Sequence, residues 1–135
     1  VPRHPSTLPT TSELEILRVI WTRGPSTVRE VYRTLAADRA IGYSTVLKFM
    51  QIMADKGTLL RDESVRPQVY RASKPRRETQ RVLVRDLIGR VFGGSSVSLV
   101  MQALADRKAS PEERKRIREL LDSLDGKDPS GRPAR

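Results

Sequence analysis

The sequence predicts a mainly α-helical chain that carries one small β-hairpin. Three observations predict it. Three short amphipathic segments, punctuated by proline and glycine, come before two four-residue runs of β type. The stretch Ala40–Ala72, AIGYSTVLKFMQIMADKGTLLRDESVRPQVYRA, joins a helical apolar spacing directly to those runs. From Ser73 onward the pattern changes to longer helices rich in leucine and valine. Helix, helix, helix, hairpin is the order of a winged helix-turn-helix. The prediction is therefore a winged helix-turn-helix plus a C-terminal helical dimerisation domain, with boundaries at 1–73 and 74–125 and a disordered tail at 126–135.

Residues 1–10 are rich in proline and threonine and read as an irregular lead-in. A first helix is expected from about Glu13 to Thr22, with Ser12 and Glu15 as its capping box. Gly24-Pro25 ends it. Trp21, the only tryptophan, reads as a core anchor. Thr27 and Glu30 make a second capping box. A helix to about Ala37 follows, with Val28, Val31, Tyr32 and Leu35 on one face. Asp38–Tyr43 is the turn before the third helix.

That third helix, Ser44–Lys56, places Val46, Phe49, Met50 and Met53 at i, i+3, i+4 and i+7. Gly57 stands where a C-terminal glycine cap belongs. Leu59–Asp62 and Gln68–Arg71 then read as strands, joined by the polar turn Glu63–Pro67. The opposite helix face carries Ser44, Thr45, Lys48, Gln51 and Ile52, with Asp55 further along. Hydroxyls, an amide and a lysine near a helix N-terminus suit base edges and phosphates in a major groove.

Beyond Ser73, a long helix is expected from Lys74–Arg77 to about Phe92, broken by Gly93-Gly94. Ser95 or Ser96 caps a further helix to about Arg107. Ser110-Pro111-Glu112-Glu113 starts the last one: a cap, a proline at the first position, then acids at the positive end. It reaches about Leu124. These helices carry more apolar residues than they can bury alone. The row Leu87, Val91, Ile117, Leu120, Leu121 and Leu124 is the expected dimer core.

Lysine and arginine number 26 against 16 acids, a formal charge of +10. A polyanionic partner is favoured, but both halves of the chain are basic, so charge does not locate it. There is no cysteine, which excludes disulfides, thiolate metal sites and thiol redox sensing. The single histidine, His4, lies in the lead-in and reads as solvated. With no Gly-rich phosphate loop and no H-E-x-x-H motif, an enzyme is not expected, nor a cofactor or metal. Asp62 and Glu63, adjacent on a strand, would point to opposite faces. No apolar run approaches the roughly 20 residues that span a bilayer, and VPRHPSTLPT lacks the core of a signal peptide. A cytoplasmic protein without membrane insertion is expected. From the residues alone, a protein-interaction adaptor or a nonspecific DNA-binding protein remains open beside a sequence-specific repressor.

The pattern SELEILRVIW…STVREVY…GYSTVLKFMQIMADKG…VYRA, continued by FGGSSVSLVMQAL and the terminal helix, resembles the BlaI/MecI (penicillinase repressor) family. The resemblance covers about residues 8–125. It implies a homodimeric repressor that binds a palindromic double-stranded DNA operator, with the third helix in the major groove and Arg66 at the wing tip. Thr45 matches a DNA-contacting threonine of the family, whereas Leu47 and Lys48 stand where members vary. The candidate contact set is Tyr43, Ser44, Thr45, Leu47, Lys48, Gln51 and Arg66. The resemblance also implies a membrane sensor protease that cuts an Asn-Phe bond in the dimerisation domain. The matching bond here is Gln102-Ala103, which lacks the large aromatic. Relief of repression by another route is therefore preferred. Copper-responsive relatives carry a C-terminal cysteine cluster, which this chain lacks.

Overall fold

The computed structural model describes residues 8–106, 108–127, 130, 132 and 133. His4 lies outside the described residues, as does part of the expected tail. The elements are α1 (Thr11–Arg23), α2 (Val28–Ala36), α3 (Tyr43–Asp55), β1 (Leu59–Asp62), β2 (Val69–Ala72), α4 (Arg76–Val91), α5 (Ser96–Asp106) and α6 (Pro111–Leu124). Among the described residues, six helices with one two-stranded hairpin give the winged-helix plus helical-region architecture that the pattern predicts. The chain divides into two compact units, one ending at Asp86 and one beginning at Leu87, so the division falls inside α4.

In the first unit, α1 begins earlier than its sequence pattern suggests. Its capping box is Thr10 with Glu13, not Ser12 with Glu15. Both pairs have the same spacing, but the reciprocal bonds form at Thr10 and Glu13. Ile16, Leu17 and Ile20 of this helix are buried. Glu15 is left near the surface, where it accepts from Arg39 at 2.8 Å. The Thr27–Glu30 box of α2 forms as expected. Both boxes satisfy helix N–H groups that would otherwise lack partners.

The core is Ile16, Leu17, Val19 and Ile20 of α1, Val28 and Val31 of α2, and Val46, Met50 and Met53 of α3, closed by Leu59 and Tyr70 of the hairpin. Val31, Val46, Met50 and Met53 have no exposed surface. Each such side chain contributes about 1.5–3 kcal/mol relative to leaving it in water. Trp21 is half-buried against this core. Its indole N–H donates to the Lys74 carbonyl at 3.4 Å, and the Arg76 guanidinium lies 5.7 Å from its ring centre. Trp21 therefore also holds the segment that leads into α4.

β1 and β2 pair antiparallel, with Leu59 opposite Ala72 and Asp62 opposite Val69. The second strand starts one residue later than the sequence suggests. A further pairing ties the hairpin to the helices. Ser26 and Tyr70 exchange backbone hydrogen bonds at 2.9 and 2.8 Å. Ser26 is fully buried and donates its hydroxyl to the Gly24 carbonyl at 2.8 Å. The joint between α1 and α2 thus acts as a one-residue third strand beside β2.

In the second unit, α4 ends where the Phe92 and Gly94 N–H groups both return to the Ile88 carbonyl, with Gly93 and Gly94 at positive φ. Ser95 caps α5, its hydroxyl accepting from the Ser98 N–H at 3.1 Å. Ser110 and Glu113 form the capping box of α6, with Pro111 in its first turn. Among the described residues, no side chain of α4, α5 or α6 is buried. Among the described residues, no single helix is long and apolar enough to cross a membrane.

Candidate nucleic-acid interface

The buried face of α3 fixes what its other face presents. Val46, Met50 and Met53 are locked in the core, so Ser44, Thr45, Lys48, Gln51, Ile52 and Asp55 stand exposed. Leu47 does not join them; it is half-buried and packs against the core. The helix starts at Tyr43 after Gly42, and no side chain caps it. Its first-turn N–H groups have no side-chain acceptor, in contrast to α1, α2 and α6. Such an end favours an anion.

Tyr43 is oriented by α2. Its ring meets that of Tyr32 edge to face, with centres 5.7 Å apart and planes at 78°. The Arg29 guanidinium lies 5.0 Å from the Tyr43 ring centre. Arg29, Arg33, Tyr43, Leu47, Gln51 and Gln68 line a cleft of about 400 Å³ between α2, α3 and the hairpin. Arg29 and Arg33, one turn apart on α2, are absent from the sequence-derived contact set. Their spacing was visible in the sequence; that Tyr43 would bring Arg29 onto this face was not.

The wing tip is shaped by Asp62. Its carboxylate accepts from the Ser64 N–H at 2.9 Å and the Ser64 hydroxyl at 2.5 Å. Those hydrogen bonds, with the nearby Arg71 charge, hold the Asp62 carboxyl below its usual range. Glu63 instead approaches Arg61 at 3.5 Å. Neither carboxylate forms an acid–base pair. Arg66 is exposed in the turn that follows.

The end of α3 away from Tyr43 is held by a charge pair. The Lys56 ammonium donates to both oxygens of Glu13 at 3.0 and 3.1 Å. Glu13 is only 3% exposed. Burial pushes its carboxyl up, but the Thr10 N–H, Lys56 and the Thr10 hydroxyl together hold it below the ordinary value. The sequence pattern missed this carboxylate, because one acid inside a helical run looks like any solvated one.

Gln102 and Ala103 are exposed, and both lie within α5. Among the described residues, no cluster of His, Asp and Glu could hold a metal ion.

A polar helix face set beside a hairpin, on a three-helix core, defines the class of fold: a winged helix. The model of the penicillinase repressor family matches residues 9–123, and the chain belongs to that family, whose members are transcriptional repressors rather than enzymes. No curated protein matches the chain.

Proposed function

We propose that the chain is a homodimeric repressor that reads a palindromic operator through α3 and the wing. The observation that carries this is the exposed, uncapped first half of α3, which shares a cleft with Arg29 and Arg33, together with Arg66 exposed in the wing turn. In this reading Lys48 and Gln51 face base edges, Ser44 and Thr45 sit at the helix entrance, and Tyr43 and Arg66 meet the backbone. Leu47 supports the helix from below. The deciding experiment is recovery of bound fragments from sheared genomic DNA, followed by competition with excess random DNA. A repressor keeps its operator under that competition; a nonspecific binder releases it.

The two side-chain roles separate in their readouts. Gln51→Ala is expected to relax sequence preference by about 1–3 kcal/mol, as for a bidentate base contact. Arg66→Ala is expected to weaken all sequences alike and to lower the salt slope by about one. Binding curves on operator variants at several salt concentrations test both. Unchanged relative affinities in Gln51→Ala would show that this face does not read bases.

Relief of repression is proposed to proceed without cleavage at Gln102-Ala103. A protease needs an extended substrate, and this bond lies inside α5, so local unfolding must come first. Ala103 also offers a specificity pocket little area to grip. Full-length protein is expected throughout induction in the host, followed by immunoblot. A stable fragment ending at Gln102 would overturn this and bring in a membrane sensor protease as partner.

A further inference from the structure

A second cavity, of about 490 Å³, opens on another side of the winged unit. Its walls come from the lead-in, the end of α3, the base of the hairpin and the first turns of α4. Leu8, Leu17 and Val82 supply apolar surface, and Lys56, Lys74 and Thr79 supply polar groups. No acidic side chain lines it among the described residues. The size is that of a small-molecule site, and apolar walls with a few convergent polar groups are the usual composition of one.

Charge specifies the occupant. Lys56 already spends two of its three N–H donors on Glu13, which sits behind it. No ion pair reaches the Lys74 ammonium among the described residues, and that residue is exposed. One positive charge at the rim is therefore left unmatched. A dianion would exceed it, and a neutral apolar molecule would leave it unused.

We propose that this cavity binds a small amphipathic monocarboxylate, its carboxylate on Lys74 with the remaining Lys56 N–H, and its apolar body against Leu8, Leu17 and Val82. Such a ligand touches both the end of the reading helix and the start of α4. It therefore bears on the two elements that a regulator has reason to couple. The site does not depend on the DNA reading, and its test uses no DNA.

The probes are octanoate and octan-1-ol, titrated calorimetrically into the full chain. Saturable one-to-one binding of octanoate is expected, at least tenfold tighter than the alcohol. Lys74→Gln should remove that preference, bringing octanoate down to the affinity of the alcohol. Val82→Trp fills the cavity and should abolish binding of both. Thr79→Trp, from the same wall, serves where Val82→Trp fails to fold, with the far-ultraviolet circular dichroism of each variant checked first. No saturable octanoate binding, equal affinity for the alcohol, or undiminished binding in a folded tryptophan variant would each overturn the proposal.

Discussion

Leu120→Asp is expected to turn the protein into a monomer and to weaken operator binding by about 100-fold or more, within the range that tethering two readers can supply. Leu120, Leu121 and Leu124 are 59, 56 and 74% exposed, and Leu87 and Val91 are 37 and 60% exposed. Ile117 is partly buried. Apolar side chains at this density on α6 and the end of α4 gain by leaving water, and in the proposed dimer a second copy would supply the matching face. An aspartate placed there would have to enter the interface unpaired or keep it open. The reader itself lies in the other compact unit and should stay folded, so single half-sites would still bind weakly. Sedimentation gives the mass and binding curves give the loss. An unchanged mass would show that α6 does not form the interface; monomer with undiminished operator affinity would show that dimerisation does not serve DNA reading.

The second large effect concerns stability. Glu13→Gln is expected to destabilise the winged unit by about 1–3 kcal/mol at neutral pH, the cost of leaving a buried hydrogen-bonding group poorly matched. The figure stays below that for a fully buried pair because the Lys56 side chain is 31% exposed and can turn to water. The pH dependence has a definite sign. The folded-state pKa of Glu13 is depressed, so the unfolded chain takes up its proton first as pH falls. The contribution is complete above the ordinary glutamate range and is lost as pH drops through the lower, folded value. Urea unfolding at pH 7 and pH 3 should show a large gap between wild type and variant at the first and a small one at the second. Equal gaps at both would mean that the carboxylate charge contributes nothing.

The helix-hairpin order was legible because apolar periodicity is local. Val46, Met50 and Met53 announce their face of α3, and the run Leu59–Asp62 forms β1 without adjustment. The choice between Thr10–Glu13 and Ser12–Glu15 was not legible, since both satisfy the same spacing. The Glu13–Lys56 pair spans 43 positions, and the Ser26–Tyr70 pairing joins residues slightly farther apart. Neither leaves a periodic trace. At the candidate interface, the exposed row from Ser44 to Gln51 follows from helix geometry, but the inward turn of Leu47 and the arrival of Arg29 depend on how α2 crosses α3.

The pairing of Ser26 with Tyr70 also bears on solubility. An unpaired strand edge is a template on which another chain can add. By lying along β2, the α1–α2 joint covers the outer side of the hairpin at Tyr70. β1 then presents the other margin, and it is only four residues long, with Arg61 and Asp62 at its far end. A short margin ending in charges offers little register for strand addition. The wing can therefore stand exposed without becoming a seed for aggregation between copies.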